Sequence, residues 1–188
     1  MTPSKLVPLL LAGLLSWPAT AAPVQLRLGL SAGQAQAGQA LTAEVIVEGL
    51  GDGGPPSVGA FDLNLAYDIS ALVATGVTFG PWLGSPGLDA LVGFDLALPG
   101  LVNFAATSLL ASADLDALQP GRFVLATVLF DALANGPVSL AFTGDLRIDD
   151  ASGLKLAVSV VPAPATWLLL VVAGAGLGLQ RCSGLRRR

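Results

Sequence analysis

Val58-Gly59-Ala60-Phe61-Asp62-Leu63-Asn64-Leu65-Ala66-Tyr67-Asp68 is the stretch from which the fold follows. Phe61, Leu63, Leu65 and Tyr67 sit at alternate positions and fall on one face of an extended chain, with the polar residues between them on the other. Period-two runs of this kind recur on both sides of it, separated by Gly, Pro, Asn and Asp. Upstream are Val24–Leu28, a small-residue turn at Gln34–Gly38, and Leu41–Val47. Gly49–Ser57, with four glycines and two adjacent prolines, is a loop by composition. Downstream, Leu72–Phe79, Val92–Leu98, Leu101–Thr107, Phe123–Phe130, Val138–Phe142 and Leu154–Val160 bring the total to about nine strands. Phe123–Phe130 is apolar at both parities, which predicts a central strand covered on both sides. Ser112–Leu118 breaks the pattern and fits one or two helical turns ending before Pro120-Gly121. Strands at this spacing predict an all-β sandwich or jelly roll over residues 22–160.

Composition narrows the chemistry. Between Ala22 and Val160, thirteen acidic side chains face Arg27, Arg122, Arg147 and Lys155, a net charge of 4 − 13 = −9. Such a surface repels nucleic acid and anionic membranes. About 140 residues can bury one core without covalent staples. Histidine is absent, which removes the usual general base and the imidazole metal ligands. The single cysteine, Cys182, lies in the basic tail, so the acidic domain forms no disulfide of its own.

Both ends of the chain read as addresses. Lys5, the apolar run Leu6–Leu15 and Ala19-Thr20-Ala21 make a signal peptide (1–21) with cleavage expected after Ala21. At the other end, Trp167 to Leu179 carries no charged side chain. With Ala163–Thr166 it reaches about seventeen residues, roughly 25 Å as a helix, at the short end for a bilayer. Arg181, Arg186, Arg187 and Arg188 then stop transfer, and the positive-inside rule puts them in the cytoplasm and the acidic domain outside. Gly174, Gly176 and Gly178 loosen this anchor, and Gly174 and Gly178 form a small-xxx-small pair.

Two family resemblances follow from these residues. Val161-Pro162-Ala163-Pro164-Ala165-Thr166, the apolar helix and the terminal arginines together resemble the PEP-CTERM sorting signal of Gram-negative bacteria. That resemblance implies recognition and processing by a membrane exosortase, and a setting of exopolysaccharide and extracellular matrix. Ala163 stands where the family pattern has Glu. The stretch Val58–Asp68, closing on Tyr-Asp, together with Gly121–Ala132, Gly136–Leu140 and Asp149–Gly153, is similar to the cohesin-like family. This resemblance implies a nine-stranded jelly roll related to carbohydrate-binding modules, and only the fold is carried over from it.

Several side chains merit separate weighing. Asp145, Asp149 and Asp150, with Ser152, lie within eight residues and offer hard oxygen ligands for calcium, the one metal the composition favours. The competing reading makes Asp-Asp-Ala-Ser-Gly a hairpin turn between Leu146–Ile148 and Leu154–Leu156. Asp114 and Asp116 point to different sides of a short helix, so helix capping and solvation suit them better than a catalytic pair. Asp68 is placed to cap the turn after its strand. Tyr67 belongs to the core face. Trp82, in Phe79-Gly80-Pro81-Trp82-Leu83-Gly84, either stacks on a sugar ring or plugs the end of the sandwich. The expectation is a secreted, surface- or matrix-sorted, non-catalytic module that binds or scaffolds a protein or polysaccharide which the sequence does not identify, with a carbohydrate-binding module using Trp82 as the alternative.

Overall fold

The computed structural model describes residues 23–162. The signal peptide, residues 163–166 of the sorting motif (Pro164, Ala165 and Thr166 among them), the apolar segment 167–179 and the basic tail lie outside the described residues. Among those described, no helix is long and apolar enough to cross a membrane.

The alternating stretch forms a strand, β4 (Val58–Tyr67), with Phe61, Leu63 and Leu65 buried, as its periodicity requires. Around it run β1 (Val24–Leu30), β2 (Gln34–Ala35), β3 (Ala40–Glu48), β5 (Leu72–Phe79), β6 (Ala90–Asp95) and β7 (Leu101–Ser108). The helix α1 (Ser112–Leu118) falls where the sequence pattern placed it. It is followed by β8 (Arg122–Ala132), β9 (Gly136–Pro137), β10 (Leu140–Asp150) and β11 (Val158–Val161). A five-stranded sheet, ordered β11-β1-β3-β8-β5, faces a four-stranded sheet, ordered β10-β4-β7-β6; β2 and β9 make a small ribbon. The inner faces share one apolar core, to which Leu26, Val47 and Val128 contribute from one sheet and Leu63, Val102 and Phe104 from the other. Each such fully buried side chain stabilises the fold by about 1.5–3 kcal/mol before entropy is counted. Aromatic contacts bridge the layers: Phe61 lies 6.3 Å from Phe79, and Tyr67 meets Phe130 edge-on at 5.4 Å.

The strand pattern departs from expectation in four places. Gln34 and Ala35 pair with β9 ahead of the turn at residues 36–39, whereas a turn alone was expected. β6 starts at Ala90 and stops at Asp95, shorter than the Val92–Leu98 expected. β10 runs unbroken from Leu140 to Asp150 across a register shift between Thr143 and Arg147, where two separate strands were expected. Of Leu154–Val160 only the end is strand: β11 pairs in parallel with β1.

The both-sided burial expected of Phe123–Phe130 is also corrected. Val45 pairs with Ala126 and Ile46 with Val124, which leaves Leu125 as an extra residue in β8. This bulge shifts the alternation by one. Phe123, Leu125, Ala126, Val128 and Phe130 therefore all turn inward, while Val124, Thr127 and Leu129 keep a half-exposed outer face. The apolar run reflects one face read in two parities. Gly80 donates its N–H to the bulged Leu125 carbonyl at 2.9 Å, and a Cβ there would strike the Val124 carbonyl.

Candidate functional site

The outer faces of the two sheets differ in chemistry. On the five-stranded sheet, the Glu48 carboxylate sits between Arg27 and Arg122, with N···O distances of 2.9 and 3.1 Å, so this face carries an ion-paired cluster. On the four-stranded sheet, the register aligns Asp62 and Asn64 of β4 beside Ala105 and Asn103 of β7, with Gly93 and Asp95 of β6 beyond them. These side chains are short, so this part of the face is flat; the long side chain beside it is Arg147 of β10, opposite Asp62 and paired with Asp149. At its centre Asn103 Nδ2 donates to Asp62 Oδ1 at 2.9 Å and to Asn64 Oδ1 at 3.1 Å. Among the described residues nothing donates to Asn103 Oδ1, which leaves an acceptor free. The alternation that buries Phe61, Leu63 and Leu65 is what presents Asp62 and Asn64 here.

The calcium candidates all lie on β10, Asp145 in its register-shifted middle and Asp149 and Asp150 at its end, and do not converge. Asp145 pairs with Lys155 Nζ at 2.9 Å, and this partner holds its carboxyl below the usual value of 3.8. Asp149, on the outer face, takes both contacts from Arg147 Nε, at 3.1 and 2.8 Å. Asp150 Oδ1 accepts from the Ser152 N–H at 2.8 Å, the Ser152 hydroxyl at 2.7 Å and the Leu154 N–H at 2.9 Å. Desolvation raises the Asp150 pKa, but these hydrogen bonds outweigh it and lower the value from 3.8. Among the described residues no group of three or more metal-binding side chains comes together. The hairpin role is the one the geometry displays, with Leu156 N–H donating to Ile148 C=O across it at 2.8 Å.

The other singled-out residues separate. Asp68 Oδ1 accepts from the Ser70 hydroxyl at 2.7 Å and its N–H at 2.9 Å, closing the turn after β4. Asp116 accepts from Ser57 Oγ at 2.6 Å, while Asp114 stays in solvent in the first turn of α1. Neither caps that helix: Ala111 holds the cap position without a side-chain bond. Trp82 begins outside the core on a 3-10 turn (Pro81–Leu83) and is 38% exposed, with its ring 6.1 Å from Phe123. One face is used in packing and part of the ring remains open.

Gln119 was invisible to pattern reading. Its side chain is 2% exposed and pairs with both backbone groups of Val58. A glutamine directly before Pro120-Gly121 carries no periodic signal.

No protein-family profile matches the chain, and no curated protein does. Solved structures do. A type II cohesin in a cohesin-X-dockerin complex from Acetivibrio cellulolyticus superposes with a TM-score of 0.61 at 15% identity, over 74% of this chain and 95% of that one. The fold is cohesin-like. A type II cohesin domain from the cellulosome of the same organism gives 0.58 at 20% identity, over 74% and 92%. A type I cohesin from a Clostridium thermocellum cohesin–dockerin complex gives 0.59 at 10% identity, over 74% and 95%. At these identities the likeness concerns the fold alone.

Proposed function

We propose that this chain is an exported, non-catalytic binding module that holds a protein partner on the outer face of its four-stranded sheet. The observation that carries this reading is the polar face centred on Asn103, with Asp62 and Asn64 beside it, short side chains toward β6, and Arg147 of β10 drawn aside to Asp149 at its other border. Flat polar strands with an open acceptor suit a rigid partner surface, and cost little conformational entropy on binding. The cohesin-like fold points the same way, since several of the matching structures are complexes of a cohesin with a dockerin. The absence of histidine supports a binding role over acid–base catalysis.

The signal peptide and the Val161–Thr166 motif give the address. On this reading the domain crosses the cytoplasmic membrane, is held by the apolar segment 167–179, and is released or transferred to surface or matrix by an exosortase-type enzyme. Mass spectrometry of the mature protein tests this: a chain beginning at Ala22 and lacking Arg186–Arg188 supports it, and an intact carboxyl terminus rejects the processing step.

For the partner, the protein is isolated from its cell envelope with and without Asn103→Arg, which plants a long cation on the flat face. A protein companion lost in the variant supports the reading, and a companion equally retained rejects the face. The second reading is a polysaccharide stacked on the exposed part of Trp82. A glycan array separates the two: signal abolished by Trp82→Ala and indifferent to Asn103→Arg would favour the sugar.

A further inference from the structure

The sandwich is open along one side, where β5 and β6 are the edge strands of their sheets. Between them lies an apolar cleft of about 450 Å3 lined by Val77, Phe79, Pro86, Val92 and Phe94. Val92 and Phe94 align with the inward-facing Ala106 and Phe104 of β7, yet are 37% and 49% exposed because no strand lies beyond them. The main chain is open at the same place. Leu109 N–H donates to Asp89 C=O, and both Ala90 groups bond the loop at Ser85 and Gly87. The antiparallel alternation then turns the Leu91, Gly93 and Asp95 backbone toward β7, and the Val92 and Phe94 backbone outward. Natural proteins blunt such edges with charge, proline or bulges. Residues 91–94 carry none of these.

The geometry points to a second copy of this chain as the occupant, with β6 of each pairing antiparallel across a two-fold axis at Gly93. In this register Val92 of one copy and Phe94 of the other exchange both backbone hydrogen bonds, twice over. Their side chains stack in apolar pairs above the cleft. Gly93 meets Gly93, and an added Cβ at this position has nothing within 4 Å. The charges are compatible as well: Asp95, the one ionisable residue of β6, falls opposite Leu91 of the second copy and not opposite itself. The open length matches too. The loop at 85–87 occupies the edge beside Ala90, and the strand ends at Asp95, leaving the five residues that a two-fold axis at Gly93 uses. The two four-stranded sheets would join into one eight-stranded sheet and double the flat face.

The test uses the full chain in detergent with Cys182→Ser, so that no other thiol is present. A non-hydrogen-bonded antiparallel pair has Cα atoms about 4.5 Å apart, within the span of a disulfide. Gly93→Cys should therefore form a covalent dimer on oxidation, while Ala105→Cys, one strand further from the axis on the same face, should not. In sedimentation equilibrium the unmodified chain should dimerise reversibly. Val92→Lys should raise the dissociation constant by about tenfold or more, because each change enters a two-fold interface twice. Equal cross-linking at residues 93 and 105 overturns the proposal. So does a chain that stays monomeric at all concentrations, or a dimer indifferent to Val92→Lys. A monomer whose edge captures an extended peptide of another protein also overturns it. None of these readouts depends on the partner bound at Asn103.

Discussion

The carboxamide of Gln119 reads both backbone groups of Val58, its Oε1 accepting the N–H at 2.6 Å and its Nε2 donating to the C=O at 2.8 Å. The same Nε2 donates to the Trp82 carbonyl at 3.0 Å. One buried side chain at the end of α1 thus acts as a strand partner for the first residue of β4 and fixes the 3-10 turn beside it. Gln119→Ala leaves buried Val58 groups unpaired, each costing about 1–3 kcal/mol. A loss of about 2–4 kcal/mol is expected, read as a lower urea midpoint at constant slope. Gln119→Glu should cost as much, because a carboxylate cannot donate to two carbonyls.

Phe94 and Phe104 stand opposite each other on β6 and β7 but differ in surroundings. Phe104 is fully buried, so Phe104→Ala should cost about 3–5 kcal/mol. Phe94→Ala in the monomer should cost less than about 1 kcal/mol, since half of the ring is already in water. Paired denaturation curves check the contrast, and equal losses would mean that the β5–β6 side is closed.

Three carboxyls have folded-state values lowered from 3.8: Asp68 by the Ser70 hydroxyl and N–H, Asp145 by Lys155, and Asp150 by its turn donors against desolvation. A lowered folded value means stability that is present above the unfolded value and lost as pH falls through the folded one. Stability should hold from neutrality to about pH 5 and decline below about pH 4. Asp150→Ala should flatten part of that acid limb and weaken the 150–154 hairpin at neutral pH. Melting temperatures between pH 2 and 7 follow both effects.

The fold was legible where one side chain period decides the outcome. Phe61, Leu63 and Leu65 announce β4, and the Ser112–Leu118 helix is bounded by Pro120-Gly121. It was not legible where pairing decides. The bulge at Leu125 disguised one inner face as two, and Thr143–Arg147 joins two expected strands only because β4 lies alongside. The site was half visible. Alternation already put Asp62 and Asn64 on the solvent side, but Asn103 joins them through a β4–β7 register that no local signal encodes. The acidic group at 145–150 looked like a ligand set because it is close in sequence, whereas Lys155, Arg147 and the turn amides each claim one carboxylate.

The most direct test of the binding face is site-specific photo-cross-linking in the producing cell, with the probe at Ala105 on the four-stranded sheet or at Thr127 on the five-stranded one. Both positions are half-buried mid-strand residues on outer faces, so the comparison isolates the face. An adduct with a different protein from residue 105 and none from residue 127 is the predicted result. Adducts from residue 127 alone, or from neither position, would contradict the account.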